Sequence, residues 1–291
     1  MIVETPKIIW IFWYQGIQEA PNIVKTCILS WKLHHLDYDL KILNEKTIHD
    51  HITIPNFITI KRKDFNYQEY ANFVRLALLK KYGGIWVDAN IYCFQSLDNW
   101  LPALLNENVF LLQSNFGDRL NVNWFIAATP NHYLINEWKK NYDDFFEENY
   151  FRIDNTFIKN KLTKTISKFI GINSERTKWW FSFFVRKVLN VYPYFIMHYM
   201  FNRLYYHDGP TKSIWDNVPK VSACNFDMRC QRMNNISFGK FYSKYKKDKI
   251  YLLKLTHRIT SHWGYYEKYI NLINEDFRQL QKKDKLDGRG G

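Results

Sequence analysis

The sequence predicts an α/β fold: a sheet of buried strands flanked by helices, with a helical, aromatic-rich addition. Three observations predict it. The run Ile8-Ile9-Trp10-Ile11-Phe12-Trp13 is continuously apolar and rich in β-branched and aromatic residues, as in a strand buried on both faces. The first 43 residues then read strand, helix, strand, the opening of an α/β sheet. Further on, a helix-periodic stretch stops at Gly83-Gly84 and is followed at once by the apolar Ile85-Trp86-Val87.

The elements follow in order. The first strand starts shortly after Pro6 and ends before Gly16, and residues 21–36 read as a helix with Pro21 near its start. Residues 38–43 largely alternate polar and apolar, the pattern of a second strand. In 68–82, Tyr70, Phe73, Val74, Ala77 and Leu78 fall at i, i+3, i+4, i+7 and i+8, so one helical face is apolar. Asn72 and Arg75 share a different face of that helix, and the glycines end it because glycine adopts the left-handed cap conformation cheaply. Residues 109–112 and 124–128 are strand candidates, 131–146 reads as a helix after Pro130, and 250–255 is a late strand. The segment 176–206 is dense in Trp, Phe, Tyr, Lys and Arg and is broken by Pro193. The expected organisation is a nucleotide-sugar-binding core over 1–150, a helical or irregular addition over 151–249, and a terminal strand and loop over 250–291.

A net charge of +13 attracts anions: nucleotide diphosphates, an acidic membrane surface or nucleic acid. No basic arm, zinc-finger, RRM or helix-turn-helix signature is present, so nucleic acid is not an expected partner. No stretch reaches the roughly 20 apolar residues that span a bilayer, and the first residues do not have the pattern of a signal peptide. The expected location is therefore cytoplasmic, with 176–206 lying on the inner face of an anionic membrane. The four cysteines, Cys27, Cys93, Cys224 and Cys230, form no CxxC pair and are expected as free, mostly buried thiols.

Chemistry is expected at Asp88-Ala89-Asn90, directly after a strand. Residues two apart on an extended chain point the same way, so Asp88 and Asn90 offer two oxygens to one spot at a strand end. Carboxylate and amide oxygens suit a hard cation, Mn²⁺ or Mg²⁺, which can bridge to a diphosphate. The same residue types are also ordinary turn formers, and Trp13 in a strand and Arg75 on a helix also suit core and ion-pair roles. No Ser-His-Asp order, nucleophile elbow or P-loop supports a hydrolase or kinase.

The stretch from Ala71 to Asn90, ANFVRLALLKKYGGIWVDAN, resembles the core of DXD-containing glycosyltransferases. It is similar above all to bacterial capsular polysaccharide synthesis proteins and the sugar-binding DXD family, glycosyltransferase family 32. Both are similar to the catalytic domains of large clostridial glucosylating toxins. The opening Pro6 to Trp13, the block from Asn123 to Ala128 and Lys254-Leu255-Thr256 resemble other blocks of these families. The resemblance implies a GT-A-like fold and a retaining, metal-dependent transfer from a nucleotide sugar, a UDP-sugar by likeness. The acceptor it implies is a glycan or lipid-linked glycan of a capsule or cell-surface polymer. It also implies that Trp13 lies near the base and that Asn72, Arg75 and Asn123 belong to the donor site. Asp88 and Asn90 form the modified DXD motif. Ser261-His262-Trp263 resembles a loop in which Ser261 and Trp263 contact the leaving diphosphate and His262 assists the metal. The family often carries Asp where this chain has Asn72, and Asn90 replaces the second Asp; both changes remove negative charge. A non-catalytic glycan- or membrane-binding protein of the same fold, and a toxin-like transferase acting on a protein, are the alternatives.

Overall fold

A computed structural model of the chain describes residues 5–60, 66–149, 157–227, 251–255, 271 and 275, the side chains of 157–160 excepted. The chain forms two compact units that interleave in sequence: one of 1–20, 35–89 and 97–223, the other of 21–34, 90–96 and 224–291.

The first unit is built on a five-stranded sheet of β1 (Ile8–Phe12), β2 (Asp39–Leu43), β3 (Gly84–Val87), β5 (Val109–Gln113) and β6 (Asn121–Ala128), in the order β2-β1-β3-β6-β5. Strand β1 pairs in parallel with both β2 and β3, whereas β6 runs antiparallel to β3 and to β5. The sheet is therefore mixed. The connection 114–120 between β5 and β6 is too short for a crossover, so those two strands can only form a hairpin. Helices α2 (Asn56–Ile60), α3 (Tyr67–Tyr82), α4 (Tyr133–Glu148), α5 (Phe157–Ile170), α6 (Ile196–His207) and α7 (Gly209–Asn217) complete this unit. Helix α3 buries Tyr70, Phe73, Val74 and Leu78, four of the five residues of its expected apolar face, and packs along β1, β3 and α4.

Helix α3 is held at both ends. The Asn66 side chain caps its start by accepting from the backbone N–H of Gln68 at 2.8 Å and Glu69 at 3.1 Å. Gly83 ends it at φ 63°, with its N–H donating to Leu79 O, and Gly84 follows at φ 87°. A Cβ on Gly83 would stand 2.5 Å from Pro130 N, and one on Gly84 would stand 2.6 Å from Ile8 O. Both positions therefore require glycine twice over, for conformation and for space. Trp10 Nε1 donates to Gly83 O at 2.9 Å and ties this turn to β1.

The second unit contains α1 (Asn22–His34), β4 (Ile91–Cys93) and β7 (Leu252–Lys254), with β4 and β7 antiparallel. Trp31 Nε1 donates to Ile91 O at 2.8 Å and Cys93 N–H donates to Ser30 Oγ at 2.9 Å, so α1 is bonded to β4. Cys27 and Cys93 are free and buried, as expected, and burial pushes both thiols up. Cys224 is disulfide-bonded, which corrects the expectation of four free thiols. Among the described residues no helix is long and apolar enough to cross a membrane.

Candidate functional site

Strands β1 and β3 are parallel neighbours, so the residues just past their ends, Trp13 and Asp88, emerge at one edge of the sheet. That edge, at the carboxyl ends of parallel strands, is where α/β sheets take ligands. Trp13 is half-buried there, and its backbone N–H donates to Leu43 O at 2.9 Å. Asp88 is positioned by its own N–H, which donates to Trp124 O of β6 at 2.9 Å.

Arg75 organises the site. Its side chain is only 4% exposed, that of Asp88 is 27% exposed, and Arg75 Nη2 donates to Asp88 Oδ1 at 2.8 Å. Trp86, two residues before Asp88 on the extended strand, donates Nε1 to the same oxygen at 3.1 Å. The Arg75 guanidinium lies over the Trp86 ring, 4.8 Å from its centroid. Its other arm, Nη1, donates to Asn72 Oδ1 one helical turn away and to Met197 Sδ of α6 at 3.3 Å. Asn123 of β6 joins the same pair, with Nδ2 donating to Asn72 Oδ1 at 3.1 Å and to Met197 Sδ at 3.1 Å. Burial lowers the Arg75 pKa, and the Asp88 charge acts against that. Arg75 therefore stands as a buried cation whose counter-ion is half open to solvent.

A second buried polar group lies on the same helix. Glu69 is 2% exposed, and burial pushes its carboxyl up to about 7 against hydrogen bonds from Asn66 that act the other way. Tyr142 of α4 donates to Glu69 O at 2.7 Å. Asn121, two residues before Asn123 on β6, is fully buried, and neither of its side-chain polar atoms has a hydrogen-bond partner among the described residues.

The structure thus brings together four of the site residues expected from sequence: Asn72, Arg75, Asp88 and Asn123. Trp86 and Met197 are additions. Trp86 was legible from the same two-residue spacing that linked Asp88 to Asn90, whereas nothing local marks Met197, 122 residues from Arg75. Ser261, His262 and Trp263 lie outside the described residues. Asn90 begins the second unit's segment, and there Leu255 N–H donates to Asn90 O at 2.9 Å while Asn90 Nδ2 donates back to Leu255 O. The second bond needs a side-chain donor, which an ionised carboxylate lacks. Asn90→Asp places a carboxylate against a carbonyl oxygen, and its stability deficit is expected at about 1–2 kcal/mol near neutral pH. Repulsion raises the pKa of the new carboxyl, so the deficit shrinks as pH falls and the O–H donor appears. Thermal unfolding of both proteins at about pH 4.5 and pH 7.5 checks this; an equal deficit at both excludes the explanation.

The capsular polysaccharide synthesis protein family matches residues 2–190, which include β1, α3, β3 and the Arg75–Asp88 pair. The chain belongs to this family. It is 28% identical over 154 residues to the O-glycosyltransferase braB of Annulohypoxylon truncatum, covering 47% of this chain and 37% of that protein. It is 26% identical over 150 residues to the probable glycosyltransferase FCK3 of Fusarium pseudograminearum, covering 47% and 38%. It is also 28% identical over 147 residues to the uncharacterized glycosyltransferase L373 of Acanthamoeba polyphaga mimivirus, covering 47% and 55%. The chain spans 37% to 55% of the length of these relatives. The solved PaToxG glycosyltransferase overlaps it in part, with a TM-score of 0.33 and 15% identity over 49% of this chain and 61% of that one.

Proposed function

We propose that this family member transfers a glycosyl group from a nucleoside diphosphate sugar, a UDP-sugar by family likeness, to a hydroxyl of a glycan or lipid-linked glycan. The single observation that carries this reading is the buried Arg75 aimed at Asp88 at the carboxyl end of β3. A fixed cation and a fixed carboxylate at a strand end form a preorganised site for a charged leaving group.

In the proposed reaction the bond from the anomeric carbon to the diphosphate oxygen breaks, and its electron pair leaves with the diphosphate. The acceptor oxygen forms the new bond to that carbon and gives its proton to a diphosphate oxygen, with retention of configuration. A divalent cation, Mn²⁺ or Mg²⁺, would take the Asp88 carboxylate and supply charge neutralisation to the diphosphate. A carboxylate oxygen just past the end of β3 fits such a cation. Arg75 and Trp86 hold Asp88 in one rotamer through Oδ1. Asn72 and Asn123 hold Arg75 in turn, so the charged pair need not reorganise as the reaction proceeds.

The rival reading, a non-catalytic glycan- or membrane-surface-binding protein of the same fold, draws on the commitment of Asn90 to Leu255. The test is a panel of UDP- and GDP-sugars incubated with the full chain, with Mn²⁺ or with chelator, while free nucleotide is measured. Nucleotide release that depends on one donor and stops with chelator is the expected outcome. Binding without release, with glycan acceptors present, favours the rival, and no binding of any donor rejects the transfer reading.

A further inference from the structure

The stretch 157–190 carries eight Lys and Arg residues against a single acidic one, Glu175. Its apolar residues divide into two sets. Trp180, Phe181 and Val185 point into the first unit, where Phe181 meets Phe145 edge-on at 5.6 Å. Trp179, Phe183, Phe184 and Val188 point outward, and Phe183 is 70% exposed. The split follows from local geometry, because a 3-10 turn over Arg176–Phe181 and a π-helical turn over Phe184–Leu189 send neighbouring aromatics to opposite sides. Helix α5, which packs against the first of these turns, adds Phe169, also 70% exposed, and Ile172 follows it. Six of the fifteen exposed large apolar side chains among the described residues fall in the twenty positions from 169 to 188. Such a concentration marks an interaction surface rather than the usual scatter.

Helix α5 itself is amphipathic. Leu162, Ile166, Phe169 and Ile170 recur at helical spacing, with Lys161, Lys164 and Lys168 exposed between them, and no side chain from 161 to 170 is buried. The aromatic half of the surface is anchored from below. Arg186 and Lys187 contact Glu148 at the end of α4, through its carboxylate at 3.4 Å and its backbone oxygen. These two cations are thus engaged with the protein, though Lys187 stays exposed, and Lys161, Lys164, Lys168 and Arg176 are exposed as well. The sequence had placed all of 176–206 at a membrane. The structure corrects this, since α6 buries Ile196, Met197, Tyr199, Met200 and Phe201 and supplies Met197 to the Arg75 cluster.

We propose that α5 and the two turns over 176–189 form a surface that docks on anionic lipid. Exposed Trp and Phe suit the interfacial region of a bilayer, and the interspersed lysines suit its anionic headgroups. The charge selects lipid over a second copy of this chain, which would bring the same positive surface against itself. The proposal rests on the outer surface of the first unit and stands apart from the glycosyl-transfer reading.

The test is co-sedimentation of the full chain with vesicles of phosphatidylglycerol mixed into phosphatidylcholine, and of phosphatidylcholine alone. Binding to the anionic vesicles, weakened about tenfold or more as salt rises from about 0.05 M to about 0.5 M, is the expected result. Lys164→Glu/Lys168→Glu is expected to weaken it about a hundredfold, and Trp179→Ala/Phe183→Ala/Phe184→Ala at least about tenfold. All five side chains are exposed, so thermal midpoints of both variants should match the parent and separate lost docking from lost folding. Recovery in the supernatant with both vesicle types overturns the proposal, as does equal, salt-independent binding to both. A dimer in sedimentation velocity that ignores vesicles and becomes monomeric in the triple aromatic variant also overturns it and assigns the surface to self-association.

Discussion

Asp88→Asn is expected to lower turnover by about two to three orders of magnitude while leaving the fold nearly unchanged. The amide keeps an oxygen where Arg75 and Trp86 donate, so the local hydrogen bonds survive and only the negative charge is lost. Asp88→Ala should behave differently. It removes the counter-ion of an arginine whose side chain is 4% exposed, and a cation stranded in the interior costs about 3 kcal/mol. On a chain of this size that corresponds to a fall in thermal midpoint of roughly 5 °C. Initial rates of nucleotide release, together with calorimetry of both variants, separate the two roles. Parental rates in folded Asp88→Asn would end the assignment of Asp88 to the reacting site. Equal midpoints for the Asn and Ala variants would show that Asp88 is not what neutralises Arg75.

The consequence of Asp88→Ala for stability could not be read from the sequence, where Asp88 is simply an acidic residue after a strand. What was legible there is local. The apolar run of β1, the helical period of α3 and the Gly83-Gly84 stop are each encoded within a few residues. The structure adds only the close approaches to Pro130 and Ile8 that make both glycines obligatory. The Asn66 cap was legible too, since Asn66-x-x-Glu69 is a capping-box pattern, and it sets the helix start one residue before the expected Gln68. Strand β6 begins at Asn121, three residues before the expected start, because Asn121 and Asn123 look like turn formers in sequence. In the fold they are buried polar residues, one of them bonded into the site, and functional sites are where such patterns break.

Other features were out of reach because they depend on pairings between distant segments. The apolar residues after Asn90 form β4, whose partner β7 lies about 160 residues away, so no local pattern separates them from β3. Composition marked 176–206 as unusual but could not say which aromatics face inward. That depends on α4 and on the register of two irregular turns. The same blindness hid Met197, a core methionine in α6 whose sulfur accepts from both Arg75 and Asn123.

Arg75→Met should cost less stability than Asp88→Ala, although it removes a larger charged group. The methionine retains much of the buried stem, and the anion left behind, at 27% exposure, can be hydrated where a buried guanidinium cannot. Asn72 Oδ1 keeps its bond from Asn123, so the expected cost is about 1–2 kcal/mol. Transfer should nonetheless fall by about two orders of magnitude or more, because Asp88 loses its fixed orientation and the site loses its cation. The double variant Arg75→Met/Asp88→Ala provides the decisive comparison. If the cost of Asp88→Ala is mainly that of an unpaired internal cation, then removing the cation as well should recover about 1–2 kcal/mol. Urea unfolding of the parent, both single variants and the double variant measures that coupling directly. A double variant less stable than Asp88→Ala, by the full Arg75→Met cost, would mean that the two residues contribute independently. Their pairing would then hold no part of this fold together.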